Sequence, residues 1–147
     1  MRFTFDSNIL VYAADLDAGR KRRKALEIVG RAQFADCALT LQSLAEFFYV
    51  TTRKGKLGLD EAEEFVESWR STFPVHAASD NCLAAAMDAV RRHRLAFWDA
   101  MMWAAAREAG CRILLTEDFQ DGQNLDGLCF VNPFVAANDA LLDVVLA

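Results

Sequence analysis

Four short apolar runs, spaced by longer stretches of helical periodicity, constrain this chain more than any other feature. They are residues 2–5 (RFTF), 37–41 (CALTL), 111–115 (CRILL) and 128–131 (LCFV). Runs of this length, bounded by polar or turn residues, read as strands, and near-continuous apolar strands belong to parallel sheets buried on both faces. The intervening stretches predict helices. Asp6-Ser7-Asn8 offers N-caps to the apolar run 9–14. Residues 19–34 place Ala25, Leu26, Val29 and Ala32 on one face, and a helix is expected over 42–54. Ala62, Phe65, Val66, Trp69 and Phe73 mark a helix opened by an Asp60/Glu63 capping pair. After the extended piece 74–76, Ser79 caps a helix with Leu83, Ala86, Met87 and Val90 inward. Asp99 opens another that stops at Gly110. Residues 118–127 read as a loop, and a short helix closes the chain beyond Pro133. Strands alternating with helices predict an α/β fold with a mainly parallel sheet, in one domain over residues 1–147.

Composition narrows the chemistry. A chain of 147 residues buries about 68–70% of its unfolded surface and needs no staples. Cys37, Cys82, Cys111 and Cys129 form no C-x-x-C pair, which excludes zinc-finger spacing and predicts buried free thiols in a reducing compartment. No apolar run approaches the ~18 residues of a membrane span, and Asp6 interrupts the N-terminal apolar stretch, so a cytoplasmic protein is expected. The net charge of −5 hides an asymmetry: residues 1–57 carry ten Lys/Arg against six Asp/Glu, and residues 58–147 six against fifteen. An acidic chain that binds phosphates must do so through a local basic patch or a bound cation.

Ligands of an open parallel sheet bind beyond the carboxyl ends of its strands. The polar residues there are acidic: Asp6 after the first strand, Glu46 in the helix after the second, Asp99 heading the helix before CRILL, and Asp118 after it. Singly, each has a local explanation. Asp6 caps a helix, Glu46 closes a capping box with Ser43, Asp99 is an N-cap with Trp98 stapled behind it, and Asp118 serves a turn. Jointly these explanations weaken. Two carboxylates 4 Å apart repel by about 4 kcal/mol at an effective dielectric of 20, and no Lys or Arg adjoins any of the four in sequence. A cation is the natural partner, and oxygen donors without Cys or His point to Mg2+ or Mn2+. The matching chemistry is hydrolysis of a phosphodiester by metal-activated water.

The pieces FDSNILVYA (5–13), SLAEFFYV (43–50), FWDAMMWAAA (97–106) and LLTEDFQDG (114–122), in this order and at these intervals, resemble the PIN-domain ribonucleases, and more narrowly the VapC-type toxins of bacterial toxin–antitoxin modules. The resemblance covers nearly the whole chain. It implies a three-layer α/β/α sandwich, with Asp6, Glu46, Asp99 and Asp118 as the metal-binding acids. It places Ser7 as the small hydroxyl residue near the metal water, Asn8 as a brace, Thr116 as the hydroxyl residue two before the last acid, and Asp121 as a fifth acid in a Gly-rich loop. DSN stands where DTN is also common. The resemblance further implies a Mg2+-dependent endoribonuclease leaving 5′-phosphate and 3′-hydroxyl ends, a homodimer, and a small antitoxin as partner. That antitoxin would use a groove to which the apolar faces of 9–14 and 44–50 could contribute.

Other features have competing readings. RKRRK (20–24) is either a solvated helix start or a phosphate contact, with Arg53, Lys54, Lys56, Arg91, Arg92 and Arg94 as further candidates. Phe47, Phe48 and Tyr49 read as packing, Trp98 as the staple, His76 and His93 as ordinary residues, and Asp88/Arg92 as an i, i+4 ion pair. Two other functions remain open on the residues: a non-catalytic RNA- or protein-binding domain, and a metal-dependent nuclease or phosphatase with another substrate. Asn8 argues against a D-x-D phosphatase.

Overall fold

The computed structural model describes residues 1–147. Three parallel strands form its centre: β1 (Phe3–Phe5), β4 (Ile113–Leu115) and β6 (Leu128–Val131), in the order β1-β4-β6. Phe5 lies opposite Leu115, and Leu115 opposite Val131, so the carboxyl ends of all three strands share one edge. β2 (Leu39–Thr40) pairs in parallel with β3 (Val75–His76), and a Phe3–Cys37 bridge joins this small sheet to the outer side of β1.

The strands alternate between two cores, as a period of two requires. Phe3, Phe5, Ile113, Leu115 and Val131 face a cluster built from α1 (Ser7–Ala14), α2 (Arg20–Ala32), α3 (Leu41–Arg53), α4 (Leu59–Thr72) and the C-terminal α7 (Asp139–Val145). Leu114, Leu128 and Phe130 face a second cluster with α5 (Asp80–His93) and α6 (Phe97–Glu108). Helices cover both faces, which is the expected α/β/α sandwich. The thiols of Cys37, Cys82 and Cys111 are buried as free cysteines and Cys129 is half-buried. Burial pushes the Cys111 thiol up to about 12 and Cys37 higher still.

Several local expectations shift. Residues 118–127 are not wholly loop, because β5 (Asn124–Leu125) pairs antiparallel with β6. Leu125 faces Leu128 across the two-residue turn Asp126-Gly127, whose φ values of 48° and 91° are the signature of the Asp-Gly hairpin turn. α4 is not capped by Asp60 and Glu63: its N-cap is Gly58, whose N–H donates to Glu61. In α2 the buried set is Ala25, Ile28, Val29 and Ala32, and Leu26 is exposed. In α5 it is Cys82, Ala86 and Ala89, while Leu83, Met87 and Val90 face solvent. This is a one-residue slip in phase. α5 packs on α6 through small side chains such as Ala100, Ala104 and Ala106, and small residues let two helix backbones approach.

Candidate functional site

Each predicted acid reaches the carboxyl edge of the sheet by its own route. Asp6 follows β1 directly. The chain must leave the strand there, and the Asp6 carboxylate caps α1 by accepting from the Ser7 N–H at 2.7 Å. Thr116 immediately follows β4, and Asp118 lies two residues further on. Glu46 projects from the second turn of α3, and Asp99 lies in the first turn of α6. Capping therefore explains part of Asp6 and little of the others. α3 is capped by Thr40, whose hydroxyl accepts from the Ser43 N–H at 3.1 Å, while the Ser43 hydroxyl donates to the Phe5 carbonyl at 3.1 Å. Ser43 thus forms no box with Glu46. α6 is capped at Ala96, so Asp99 is not its N-cap, and Trp98 is 65% exposed rather than stapled.

The acids are wired together by neutral side chains. The Ser7 hydroxyl stands between two carboxylates, 3.4 Å from Asp6 Oδ1 and 3.5 Å from Glu46 Oε2. Asn8 Nδ2 donates to Asp118 Oδ2 at 3.1 Å and reaches Thr116 Oγ1 at 3.4 Å. The Thr116 hydroxyl donates to Asp6 Oδ2 at 2.8 Å and accepts from the Asp118 N–H at 3.1 Å. Gln42, absent from the expected set, donates one amide group to Glu46 Oε1 at 2.8 Å and to the Trp98 carbonyl at 2.9 Å. It ties α3 to the start of α6. Its signal was available, since Gln42 and Glu46 are four apart on one helix. Asp121 is not brought to the group. Its carboxylate accepts from the Asn132 N–H and from Asn138 Nδ2, and so holds the C-terminal segment.

The electrostatics are those of uncompensated negative charge. Asp6 is 6% exposed, and burial pushes its carboxyl up to about 6, against the hydrogen bonds from Thr116 and Ser7 and with the help of Glu46 and Asp118. Burial also raises Glu46, with Asp99 and Asp118 adding to the shift, and raises Asp99, with Asp118 adding. None of the four pairs with a basic side chain. An all-oxygen donor set with unmatched charge fits a hard divalent cation. No three acids are gathered closely enough to chelate one ion by themselves, but Mg2+ does not require this: it keeps several waters and takes one or two carboxylates directly.

Thr116→Val tests the wiring. It removes a donor to Asp6 and an acceptor for the Asp118 N–H in one step, with little change in shape. We expect divalent-ion affinity to fall about 10–100-fold, the range for outer-shell changes, as read by calorimetric titration with Mn2+. Unchanged affinity would show that Asp6 and Asp118 do not act through Thr116.

Aromatic and basic residues sort differently. Phe47 is fully buried, but Phe48 and Tyr49 are exposed, so packing holds for one of the three. Lys56 pairs with Asp15 at 3.0 Å, Arg92 with Asp88 at 3.2 Å, and His76 lies 2.7 Å from Glu108.

With this geometry in hand, comparison with known proteins gives a consistent answer. Residues 3–120 match the family model described as PIN domain. Among solved structures, a toxin–antitoxin complex from Klebsiella pneumoniae is similar at 23% identity, covering 89% of this chain and 97% of that one, with a TM-score of 0.64. VapC20 of Mycobacterium tuberculosis, described as a sarcin-ricin loop cleaving toxin, is 15% identical over 80% of this chain and 91% of its own, with a TM-score of 0.66. VapBC2 from Rickettsia felis, solved bound to a DNA fragment from its promoter, is 17% identical over 90% and 98%, with a TM-score of 0.65. At such identities the likeness is one of fold. No curated protein matches the chain in sequence.

Proposed function

Because this chain belongs to the PIN domain family, we propose that its acid site is a metal-dependent endoribonuclease centre, carried by one domain over the chain, and that the protein is the toxin of a toxin–antitoxin pair. One observation carries the reading: four carboxylates arrive from four separate segments at one sheet edge with no basic partner among them. Helix capping and turn formation account for one acid at a time. They do not account for a shared, unmatched charge.

Asp6 and Asp99 would hold the principal Mg2+ or Mn2+, and Glu46 and Asp118 would complete the acidic pocket, orienting waters or a second ion. When bound, such an ion would polarise a coordinated water for attack and offset negative charge on the phosphate. The chain supplies placement. Ser7 holds a hydroxyl between Asp6 and Glu46, Thr116 and Asn8 fix the Asp6 and Asp118 carboxylates, and Gln42 fixes Glu46. No Ser, Cys or His nucleophile is required. Hydrolysis on this pattern leaves 5′-phosphate and 3′-hydroxyl ends.

Exposed apolar side chains support protein partners. Leu41, Phe48 and Tyr49 on α3 and Leu83, Met87 and Val90 on α5 face solvent, and exposed apolar surface of this kind marks interaction sites. An antitoxin and a second copy of the chain are the partners this reading takes. No helix is long and apolar enough to cross a membrane.

The test is incubation of total RNA with purified protein, freed of any co-purified inhibitor, in Mg2+ and in EDTA, beside Asp99→Asn. Discrete fragments that require the metal and vanish in the variant are expected. Absence of both cleavage and calorimetric metal binding would overturn the reading in favour of a non-catalytic binding domain.

A further inference from the structure

The first turn of α2 is Arg20-Lys21-Arg22-Arg23, with no acid in it and no side-chain cap at Gly19. Stability alone would not choose this arrangement. The N-terminus of a helix already presents unpaired N–H groups and the positive end of its dipole, so acids stabilise it and cations oppose it. Yet a chain of net charge −5 gathers five consecutive cations at residues 20–24.

All of them but Arg22 line an open cleft of about 520 Å3 between α2 and the segment that follows β6. Four cations reach it: Arg20, Lys21, Arg23 and Lys24, against Glu27 and Asp139, a lining charge of four minus two, or +2. Lys21 and Lys24 are engaged, with Glu117 at 2.8 Å and Asp139 at 3.2 Å. Arg20 and Arg23 are exposed and have no carboxylate partner. Phe134 supplies one wall.

The cleft is also fixed against the acid site. Glu117 stands between Thr116 and Asp118 in the chain, and it takes both the Lys21 ammonium and the Tyr12 hydroxyl. Lys21 lies 5.0 Å from the Tyr12 ring centre and 5.5 Å from that of Phe134, and the two rings meet edge to face at 5.4 Å. The loop that positions Asp118 is thereby locked to the basic turn.

Resting on the ribonuclease reading, we propose that this cleft seats the backbone phosphates of the RNA strand flanking the cleavage point, with Arg20 and Arg23 as their contacts. An acidic centre repels a polyanion, and a basic seat on α2, tied through Lys21 to Glu117 beside Asp118, offsets that repulsion. The guanidinium is suited to the task, since its fork matches phosphate oxygens in pairs. Six of the nine lining residues are charged and four of those are cations, which favours a nucleic-acid backbone over a protein segment.

The test is fluorescence anisotropy with a labelled, unstructured 12-nucleotide single-stranded RNA between 50 and 200 mM KCl. Asp99→Asn prevents cutting, and it is compared with the same protein carrying Arg20→Glu and Arg23→Glu. We expect affinity at 50 mM KCl to fall at least tenfold. The slope of log affinity against log salt should become shallower by about 1.4, the value for two lost phosphate contacts at about 0.7 each on a single strand. The melting temperature should hold or rise, because acids suit the first turn of a helix. A lost affinity with a lowered melting temperature would overturn the proposal in favour of a structural role, and Arg20→Gln with Arg23→Gln, which adds no negative charge, must repeat the loss. Equal affinity and slope in the two proteins would overturn it while leaving the ribonuclease reading intact, with an acidic protein segment as the remaining occupant. If the Asp99→Asn protein binds no RNA and the unaltered chain cleaves none, the ribonuclease reading and the proposal fall together.

Discussion

Asp6→Asn is expected to abolish metal-dependent RNA cleavage and, at the same time, to stabilise the metal-free chain. The two effects share one cause. Asp6 is buried against its will: its carboxyl is pushed from 3.8 to about 6, first by burial and then by Glu46 and Asp118. At about 1.36 kcal/mol per pKa unit, that shift corresponds to about 3 kcal/mol of native-state penalty at neutral pH. The sign follows from proton binding. Between pH 4 and 6 the folded chain holds the Asp6 proton that the unfolded chain has released, so stability falls as pH rises through this window. Above pH 6 the full penalty is in place. Asn carries no charge, can accept from the Ser7 N–H and can donate to Thr116.

We therefore expect Asp6→Asn, in EDTA at pH 7.5, to gain about 1–3 kcal/mol, or several degrees in melting temperature at about 2–4 °C per kcal/mol. The gain should vanish by pH 4. Mg2+ should close the gap by stabilising the unaltered protein alone, through binding to its native state. Cleavage should fall by more than about 100-fold, beyond the range for outer-shell changes. Scanning calorimetry across pH, with and without Mg2+, reads the stability effect. An Asp6→Asn protein no more stable than the parent at pH 7.5 in EDTA would show that Asp6 carries no unmatched charge.

Phe47→Ala carries the largest expected loss of stability. Phe47 is fully buried, and its ring meets Trp69 edge-on at 4.7 Å and Phe65 at 5.9 Å. Truncating a buried Phe removes about 3–5 kcal/mol, which lowers the melting temperature on the order of 10 °C for a chain of this size. The neighbouring Phe48→Ala, at a position 36% exposed, should change stability by less than about 1 kcal/mol, as surface positions do. Thermal melts of the two variants compare them directly. Equal losses would mean that α3 is turned differently, and with it Glu46.

That contrast shows where the reading of the sequence succeeds and where it slips. Asp6, Glu46, Asp99 and Asp118 were legible because each lies beside an apolar run whose identity as a strand or buried helix is local. The brace residues Ser7, Asn8 and Thr116 were legible from the resemblance to the PIN-domain pattern. Phe48 and Tyr49 read as packed alongside Phe47 because three aromatics in a row carry no phase of their own. In α5 the larger apolar residues Leu83, Met87 and Val90 drew the buried face to themselves. The contact with α6 instead uses Cys82, Ala86 and Ala89, whose small volume permits close approach and gives no hydropathic signal. The Asp126-Gly127 turn was a readable hairpin signal that the surrounding Asp, Gly and Asn residues concealed.

The sequence by itself determined the alternation of strands and helices, the sheet class and the placement of four acids close to the strand ends. These rest on short-range facts: runs of apolar side chains, caps, and residues within a few positions of a strand end. Only the tertiary structure decided that Asp121 braces the C-terminal segment instead of joining the acids, that Gln42 bridges Glu46 to α6, and that the basic turn of α2 is locked to the Asp118 loop through Lys21 and Glu117. Those contacts join segments whose meeting is set by how the helices pack across the sheet. No local pattern encodes that packing, because it is the burial of whole faces, many residues at a time, that selects it.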